Sequence, residues 1–137
     1  VGKGIDRKVL KAVPLPQDDG RMPLQLPRGA VVWVSDDGSS LSDAVCAQLA
    51  ARNLMAEKIV LDRLETLVPV AALAGLVVLA PSSGTDDRFI EDAFRLLQIA
   101  EPALTASGSK AAAVFAVASR LNGAFGLTTG GPIDDVL

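Results

Sequence analysis

The segment Ala30–Asn53 constrains the fold more than any other part of this 137-residue chain. It begins with a short apolar run, Ala30–Val34, whose β-branched and aromatic residues predict a strand buried on both faces. A polar turn follows, and after it Leu41, Val45 and Leu49 recur at the spacing of one helix face. A buried strand, a tight turn and an amphipathic helix in this order form the first unit of a parallel α/β sheet.

Both ends of this first helix have recognisable signals. Ser40 is expected to be the N-cap residue, with Asp43 three residues later in the capping-box position. Asn53 is expected to end the helix in the left-handed conformation. The helix should therefore be short and well delimited.

The loop between the strand and the helix, Ser35–Ser40, lies where folds of this kind hold the pyrophosphate of a dinucleotide. Close approach of the backbone to a phosphate needs several glycines, and this loop has only Gly38. The adjacent carboxylates of Asp36 and Asp37 would also repel an anion. The sequence therefore predicts that this chain has no cofactor-binding residues.

Three later apolar runs predict further strands, at Lys58–Leu61, Leu76–Ala80 and Lys110–Ser119. A short helix or loop is expected between the first two runs, and a long helix before the third. This alternation predicts an α/β protein, with a truncated Rossmann-like parallel sheet flanked by helices. Upstream, Arg7–Val13 is predicted to form a first strand. We therefore divide the chain into a first strand and Pro/Gly-rich linker, 1–29, and the Rossmann-like subdomain, 30–137.

The long helix should begin at about Thr85 or Asp86 and be mostly buried. Its apolar face is wide and consists of Phe89, Ile90, Ala93, Phe94, Leu96, Leu97 and Ala100. Pro102 lacks the N–H group that a helix interior requires, so the helix is expected to kink or restart there and to end at Ser107–Gly108.

The composition restricts the chemistry that is available. The chain has no histidine, no tyrosine and one cysteine, so it cannot form a Ser-His-Asp or Cys-His device or a Cys/His zinc site. The single cysteine, Cys46, lies within the predicted helix and is expected to be a small buried hydrophobe. A net charge of −3 does not favour a nucleic-acid partner. The longest uncharged apolar run, Leu67–Pro81, is shorter than the roughly 20 residues that span a membrane.

Two further features of the sequence bear on its origin. No secretory signal pattern opens the chain, so a cytoplasmic location is expected. The first residue is Val1 rather than methionine, which suggests a piece of a longer polypeptide.

Carboxylate chemistry remains as an option. Asp36 and Asp37 follow the first strand and Asp62 follows the second, so the three could meet at the edge of the sheet and hold Mg²⁺. The alternative is that Asp36 and Asp37 favour the start of the helix and that Asp62 caps the next turn. The second interpretation is preferred, and no catalytic or metal-binding residue is expected.

Four motifs extend over nearly the whole chain: RKVLKAVPLP at 7–16, DDGSSLSDAVCAQLAARN at 36–53, GLVVLAPSSG at 75–84 and FAVASRLNGAFGL at 115–127. In this order they resemble the first half of the ketoreductase region of multidomain polyketide and polyunsaturated fatty acid synthases. The resemblance implies a structural subdomain that binds no cofactor. It also implies a catalytic subdomain as partner, which binds NADPH and reduces 3-oxoacyl thioesters on a carrier protein.

The family uses a tyrosine, a serine and a lysine of the catalytic half for this reduction, and no position of this chain matches that motif. The resemblance thus implies a non-catalytic scaffold in a cytoplasmic multidomain enzyme, with the catalytic half and neighbouring synthase domains as partners. The alternative function is that of a free-standing flavodoxin-like module with Mg²⁺ or phosphoryl chemistry at Asp36 and Asp37.

Overall fold

The computed structural model describes residues 20, 24–81 and 87–119. Within these residues strands and helices alternate along the chain. They are β1 Val31–Ser35, α1 Ser40–Ala51, β2 Met55–Ile59, a 3₁₀ helix Leu61–Thr66, β3 Gly75–Leu79, α2 Asp87–Lys110 and β4 Val114–Ala118. The predicted strand Arg7–Val13 lies outside the described residues.

The four strands form one parallel sheet in the order β2-β1-β3-β4. From β1 the chain moves outward to β2 and then returns to β3 on the other side of β1. The direction of winding therefore changes between β1 and β3. This architecture confirms the predicted α/β class with a Rossmann-like parallel sheet flanked by helices.

The helices pack on opposite faces of the sheet because successive strand residues point to opposite sides. On one face, Trp33 of β1 and Leu76 of β3 pack in one core cluster with Leu96 of α2. On the other face, Val32 and Val34 of β1 pack with half-buried residues of α1. The core thus has two layers of small and medium aliphatic side chains around one indole.

Two of the four strand positions, β1 and β3, are close to those predicted, whereas β2 and the start of β4 are not. β1 and β3 are each displaced by one residue from the predicted ranges, whereas β2 occupies Met55–Ile59 instead of Lys58–Leu61. Leu61 belongs to the 3₁₀ helix, so only Lys58 and Ile59 of the apolar run KIVL lie in the strand. Lys110 was expected to begin the last strand but is the last residue of α2.

The long helix α2 differs from its prediction in continuity and burial. It runs as one element through Pro102 to Lys110 and neither restarts at the proline nor ends at Ser107–Gly108. Pro102 itself is exposed, while Ala100 and Ala103 beside it are buried against the core. Packing of these alanines therefore keeps the chain helical where local preference would break it. The helix is also less buried than expected, because Ile90 and Phe94 of its predicted apolar face are each 60% exposed.

Helix α1 is only partly covered. Val45 and Leu49 are half-buried against β1, but Leu41 is 39% exposed, so the predicted apolar face is buried over its later part alone. Asn53 adopts a φ of 60° just after the helix, which confirms the predicted left-handed stop.

Candidate functional site

In an open α/β sheet, ligands bind at the carboxyl ends of the strands where the winding direction changes. In this protein that position lies between β1 and β3. Ser35, the last residue of β1, is fully buried there. Its Oγ accepts a hydrogen bond from the N–H of Leu79 at 2.8 Å and donates one to the carbonyl oxygen of Leu79 at 3.3 Å. The serine side chain therefore links the two strands at the point where a ligand crevice would open.

The N-terminus of α1 adjoins this link and is occupied by a side chain of the chain itself. The Oδ1 atom of Asp37 accepts hydrogen bonds from the backbone N–H groups of Ser39 at 3.2 Å and Ser42 at 3.3 Å. Its Oδ2 atom accepts one from the hydroxyl of Ser39 at 2.5 Å. The side chain is enclosed, because Asp37 is only 3% exposed. Asp37 thus supplies the negative charge and the acceptor atoms that a phosphate would supply at a helix N-terminus.

The cap of α1 is Ser39, so the prediction of Ser40 was wrong by one residue. Ser39 has an extended backbone and its Oγ accepts a hydrogen bond from the N–H of Leu41 at 3.1 Å. The loop turns earlier than expected because Gly38 adopts a positive φ of 71°. Asp43 consequently does not stand in the capping-box position, which belongs to Ser42.

Asp36 and Asp43 instead take part in a charged group on the surface. The Oδ1 atom of Asp36 accepts hydrogen bonds from the N–H of Gly38 at 3.1 Å and from the Oγ of Ser42 at 3.2 Å. The Nζ atom of Lys58 on β2 lies 3.8 Å from Asp36 Oδ2 and donates a hydrogen bond to Asp43 Oδ1 at 2.7 Å. The hydrogen bond with Asp43 raises the pKa of Lys58 above its ordinary value. The group joins α1 to the edge strand.

Asp62 does not join the other two carboxylates. It lies exposed in the first turn of the 3₁₀ helix, whose N-cap is Val60 with no side-chain capping bond, so the predicted capping role of Asp62 was also wrong. It borders a polar cavity of about 440 Å³ between the 3₁₀ helix and α2, together with Glu65 and Arg88. Among the described residues, no group of three or more acidic, cysteine or histidine side chains is arranged to hold a metal ion.

Cys46 is half-buried rather than fully buried. It packs beside Val32 and Val34 on the α1 face of the sheet. Burial raises the pKa of the Cys46 thiol, and the nearby charge of Lys58 opposes this only in part. A thiol that stays protonated at neutral pH is a poor nucleophile.

Sequence reasoning identified Asp36 and Asp37 as residues of interest but missed Ser35 and Ser42. A serine that directly ends a buried strand is a weak signal, because it could equally begin a solvent-exposed turn. Its role depends on Leu79, which lies 44 positions later in the chain, and a pairing over that distance is visible only in the fold.

Comparisons with protein-family models, with curated proteins and with solved structures find no match to this chain. Its class is therefore defined by its own fold and geometry. It is an α/β protein with a Rossmann-like parallel sheet, in which side chains of the protein fill the position where related architectures bind a ligand. In the part of the chain that the structure describes, no helix combines the length and apolar character needed to cross a membrane.

Proposed function

We propose that this chain is the non-catalytic, structural half of a ketoreductase region in a cytoplasmic polyketide or polyunsaturated fatty acid synthase. In this role it packs on and positions an NADPH-dependent catalytic half, which reduces 3-oxoacyl thioesters on a carrier protein. The observation that carries the proposal is the buried carboxylate of Asp37 at the N-terminus of α1.

The position of Asp37 supports a chain that binds no dinucleotide. A pyrophosphate at this helix N-terminus would need the N–H groups of Ser39 and Ser42, which already donate to Asp37. It would also bring its negative charge next to a buried carboxylate, and such repulsion is strong where water is excluded. The link between Ser35 and Leu79 supports the same conclusion, since it pairs the ends of β1 and β3 beside this helix.

The uncovered side of the sheet supports a role in packing. β4 is an edge strand in the described residues, and its side chains Phe115 and Val117 are 49% and 64% exposed. Large apolar side chains exposed together commonly mark a surface that another protein or domain covers. Internally paired polar groups at the strand ends, together with exposed apolar side chains on the edge strand, are features expected of a scaffold.

The amino-acid composition also supports a chain that depends on a separate catalytic half. Reduction of a ketone by NADPH needs a proton donor at the carbonyl oxygen, and the family uses a tyrosine for this. This chain contains no tyrosine. The catalytic half would therefore supply the cofactor site and the proton donor.

The rival function, Mg²⁺ or phosphoryl chemistry at Asp36 and Asp37, has less support. Both oxygen atoms of Asp37 accept hydrogen bonds from the loop and the helix. Asp36 likewise holds Gly38 and Ser42 and lies next to Lys58. A cation would have to break several of these interactions before it could be coordinated.

Reconstitution with a catalytic half tests the proposal. The catalytic half of a ketoreductase from a polyunsaturated fatty acid synthase is purified without its own structural half and assayed for NADPH oxidation with a 3-oxoacyl thioester. We expect a several-fold rise in rate when this chain is added, and no oxidation by the chain alone.

A Val34→Asp variant is the control, because it places a carboxylate at a fully buried core position and should not fold. An unchanged rate with the folded chain, or steady NADPH oxidation by the chain alone, would contradict the proposal.

A further inference from the structure

One flank of α2 has a regular pattern of side chains. Ile90, Phe94 and Leu97 follow each other at intervals of four and three residues, so they lie in one row along the helix. Ile90 and Phe94 are each 60% exposed, although both are large and apolar. Asp87 precedes the row by three residues and Glu101 follows it by four, which places an exposed carboxylate at each end.

β4 presents apolar side chains on the same face of the sheet. Phe115 is in register with Leu76, and Val117 is in register with Val78. Residues in register on parallel strands point to the same face. Since Leu76 and Val78 belong to the core beneath α2, Phe115 and Val117 also point to the α2 face, where they remain about half exposed or more.

Among the described residues, no element covers the sheet between these two apolar surfaces. The opposite flank of α2, with Arg88 and Arg95, lies against the 3₁₀ helix, which follows the edge strand β2. Because β4 is at the other edge of the sheet, the row on α2 is on the side of the helix nearer to β4. We call this surface the α2–β4 groove. Its apolar residues are Ile90, Phe94, Leu97, Phe115 and Val117.

We propose that the α2–β4 groove binds an amphipathic helix that carries lysine or arginine residues beside its apolar stripe. The assignment of this helix to the catalytic half rests on the proposed function. A helix on the face of a sheet packs beside its neighbouring helix through rows at intervals of three and four residues, and α2 offers such a row. A strand could pair with the edge of β4 but would leave the apolar flank of α2 uncovered.

The charges of the groove select a basic helix. Asp87 and Glu101 lie about 21 Å apart along the helix axis, so they can pair with basic residues near the two ends of a bound helix of similar length. The chain has a net charge of −3, which also favours a basic partner.

A second copy of this chain fits the groove poorly. If two α2 helices packed through this row in parallel, Asp87 would face Asp87, and in the antiparallel arrangement Asp87 would face Glu101. Both arrangements bring like charges together at the ends of the row, which opposes association.

A synthetic peptide tests the groove directly. The probe is a fluorescently labelled peptide of about 18 residues, with leucines at helical spacing and lysines on both sides of them. A second peptide carries glutamates in place of the lysines. We expect the intact chain to bind the lysine peptide at least about tenfold more tightly than the glutamate peptide, and this preference should diminish as salt is added.

Matched variants locate the binding surface. Phe94→Ser and Val117→Ser should each weaken binding about tenfold, whereas Val68→Ser should not, since Val68 is 76% exposed but lies outside the groove. Glu101→Lys should weaken binding of the lysine peptide, and Glu65→Lys, on the 3₁₀ helix, should have no effect. All these positions are exposed, so circular dichroism should show an unchanged fold.

The outcomes separate the groove from the proposed function. Equal binding of both peptides, or equal binding by wild type and Phe94→Ser, would overturn the groove as the site of a basic helix. A chain that dimerises through this surface, with the dimer lost in Phe94→Ser, would overturn it in favour of a second copy.

If the lysine peptide binds as expected but the catalytic half does not bind, the groove stands and the proposed function fails. If the catalytic half binds wild type and Phe94→Ser alike, the proposed function stands and the groove fails.

Discussion

Asp37 has the surroundings of a bound anion although it is a residue of the chain. Three hydrogen bonds, two of them from backbone N–H groups near the start of α1, converge on its carboxylate. Helix N-termini commonly attract phosphates for the same reason, because their N–H groups lack partners within the helix. One side chain therefore stabilises the first helix and keeps its N-terminus from a ligand.

Replacement of Asp37 tests this role. We expect Asp37→Ala to lower the free energy of unfolding by about 2–3 kcal/mol, because it leaves the N–H groups of Ser39 and Ser42 without their acceptor. Asp37→Asn should cost less, since its amide oxygen can still accept. Asp43→Ala is the control and should have little effect, because its bond to Lys58 is exposed. Urea unfolding measures all three, and equal stability of wild type and Asp37→Ala would contradict the assignment.

The hydrogen bonds of Asp36 and Asp37 also predict how the protein responds to Mg²⁺. Since the oxygen atoms of Asp37 are engaged within the loop and helix, we expect millimolar Mg²⁺ to leave the melting temperature unchanged. A cation present at one hundred times its dissociation constant would add about 2.7 kcal/mol of stability. A rise of several degrees that Asp36→Asn abolishes would instead support the phosphoryl-transfer alternative.

The sequence predicted that the loop is unsuitable for a pyrophosphate, but it could not show which carboxylate turns inward. That choice depends on the positive φ of Gly38, which moves the cap from Ser40 to Ser39 and directs Asp37 towards the helix. A glycine permits this conformation without requiring it. Short-range signals therefore located the site to within a residue, while its hydrogen bonds depended on the backbone geometry.

Among the elements, β3 shows most clearly how packing restricts the sequence. It is an inner strand that pairs with both β1 and β4, and it begins with Gly75. A Cβ atom at this position would lie 3.0 Å from a methyl group of Val32 and 3.0 Å from one of Val114. Val32 is buried and has little freedom to move. The glycine therefore allows the three strands to keep their register.

Two glycine substitutions should have opposite effects on stability. We expect Gly75→Ala to destabilise the protein by about 1–3 kcal/mol, because the core is already filled around it. Gly108→Ala should stabilise it by about 0.5–1 kcal/mol, since Gly108 lies in α2 and its added Cβ would be 3.6 Å from the nearest side-chain atom. Thermal unfolding of both variants checks the pair, and a destabilised Gly108→Ala would show that α2 is interrupted near its end.

The elements differ in how well the sequence predicts them. β1 and β3 are apolar runs between turn residues, and the predictions were within one residue. β2 is an edge strand whose residues, among them Glu57 and Lys58, are mostly exposed, so its apolar signal is weak. A tertiary contact accounts for the polar residue Glu57 in this strand, because its Oε2 accepts a hydrogen bond from the Nε1 of Trp33 at 3.0 Å. α2 was predicted to kink or restart because Pro102 is a local signal, whereas the burial of Ala100 and Ala103 is a tertiary one.

At the scale of the whole molecule, the described residues pair their polar groups with one another at the ends of β1 and β3, whereas they leave apolar side chains exposed at β4. Between β1 and β3, the buried side chains of Ser35 and Asp37 are engaged in hydrogen bonds within the chain. At β4 the sheet presents large apolar side chains that the described residues leave exposed. The strand and helix alternation predicted the fold class, but it overestimated how much of α2 the described residues would bury. That difference could not be derived from periodicity, because an apolar face covered by a partner has the same pattern as one covered by the chain's own core.

The internal hydrogen bonds of Ser35 and Asp37 lead to a prediction about NADPH binding. Calorimetric titration of the chain alone should give no binding, because the dinucleotide would have to displace Asp37 from the N-terminus of α1 and separate Ser35 from Leu79. In a complex with a catalytic half, the same titration should give one NADPH for each pair of halves rather than two. Asp37→Ala in the complex should leave that stoichiometry unchanged, since the proposed function places the cofactor in the other half and the loop 35–40 has only one glycine for the approach of a pyrophosphate. A micromolar dissociation constant for the chain alone, or two NADPH molecules per complex, would show that this half contains a cofactor site of its own.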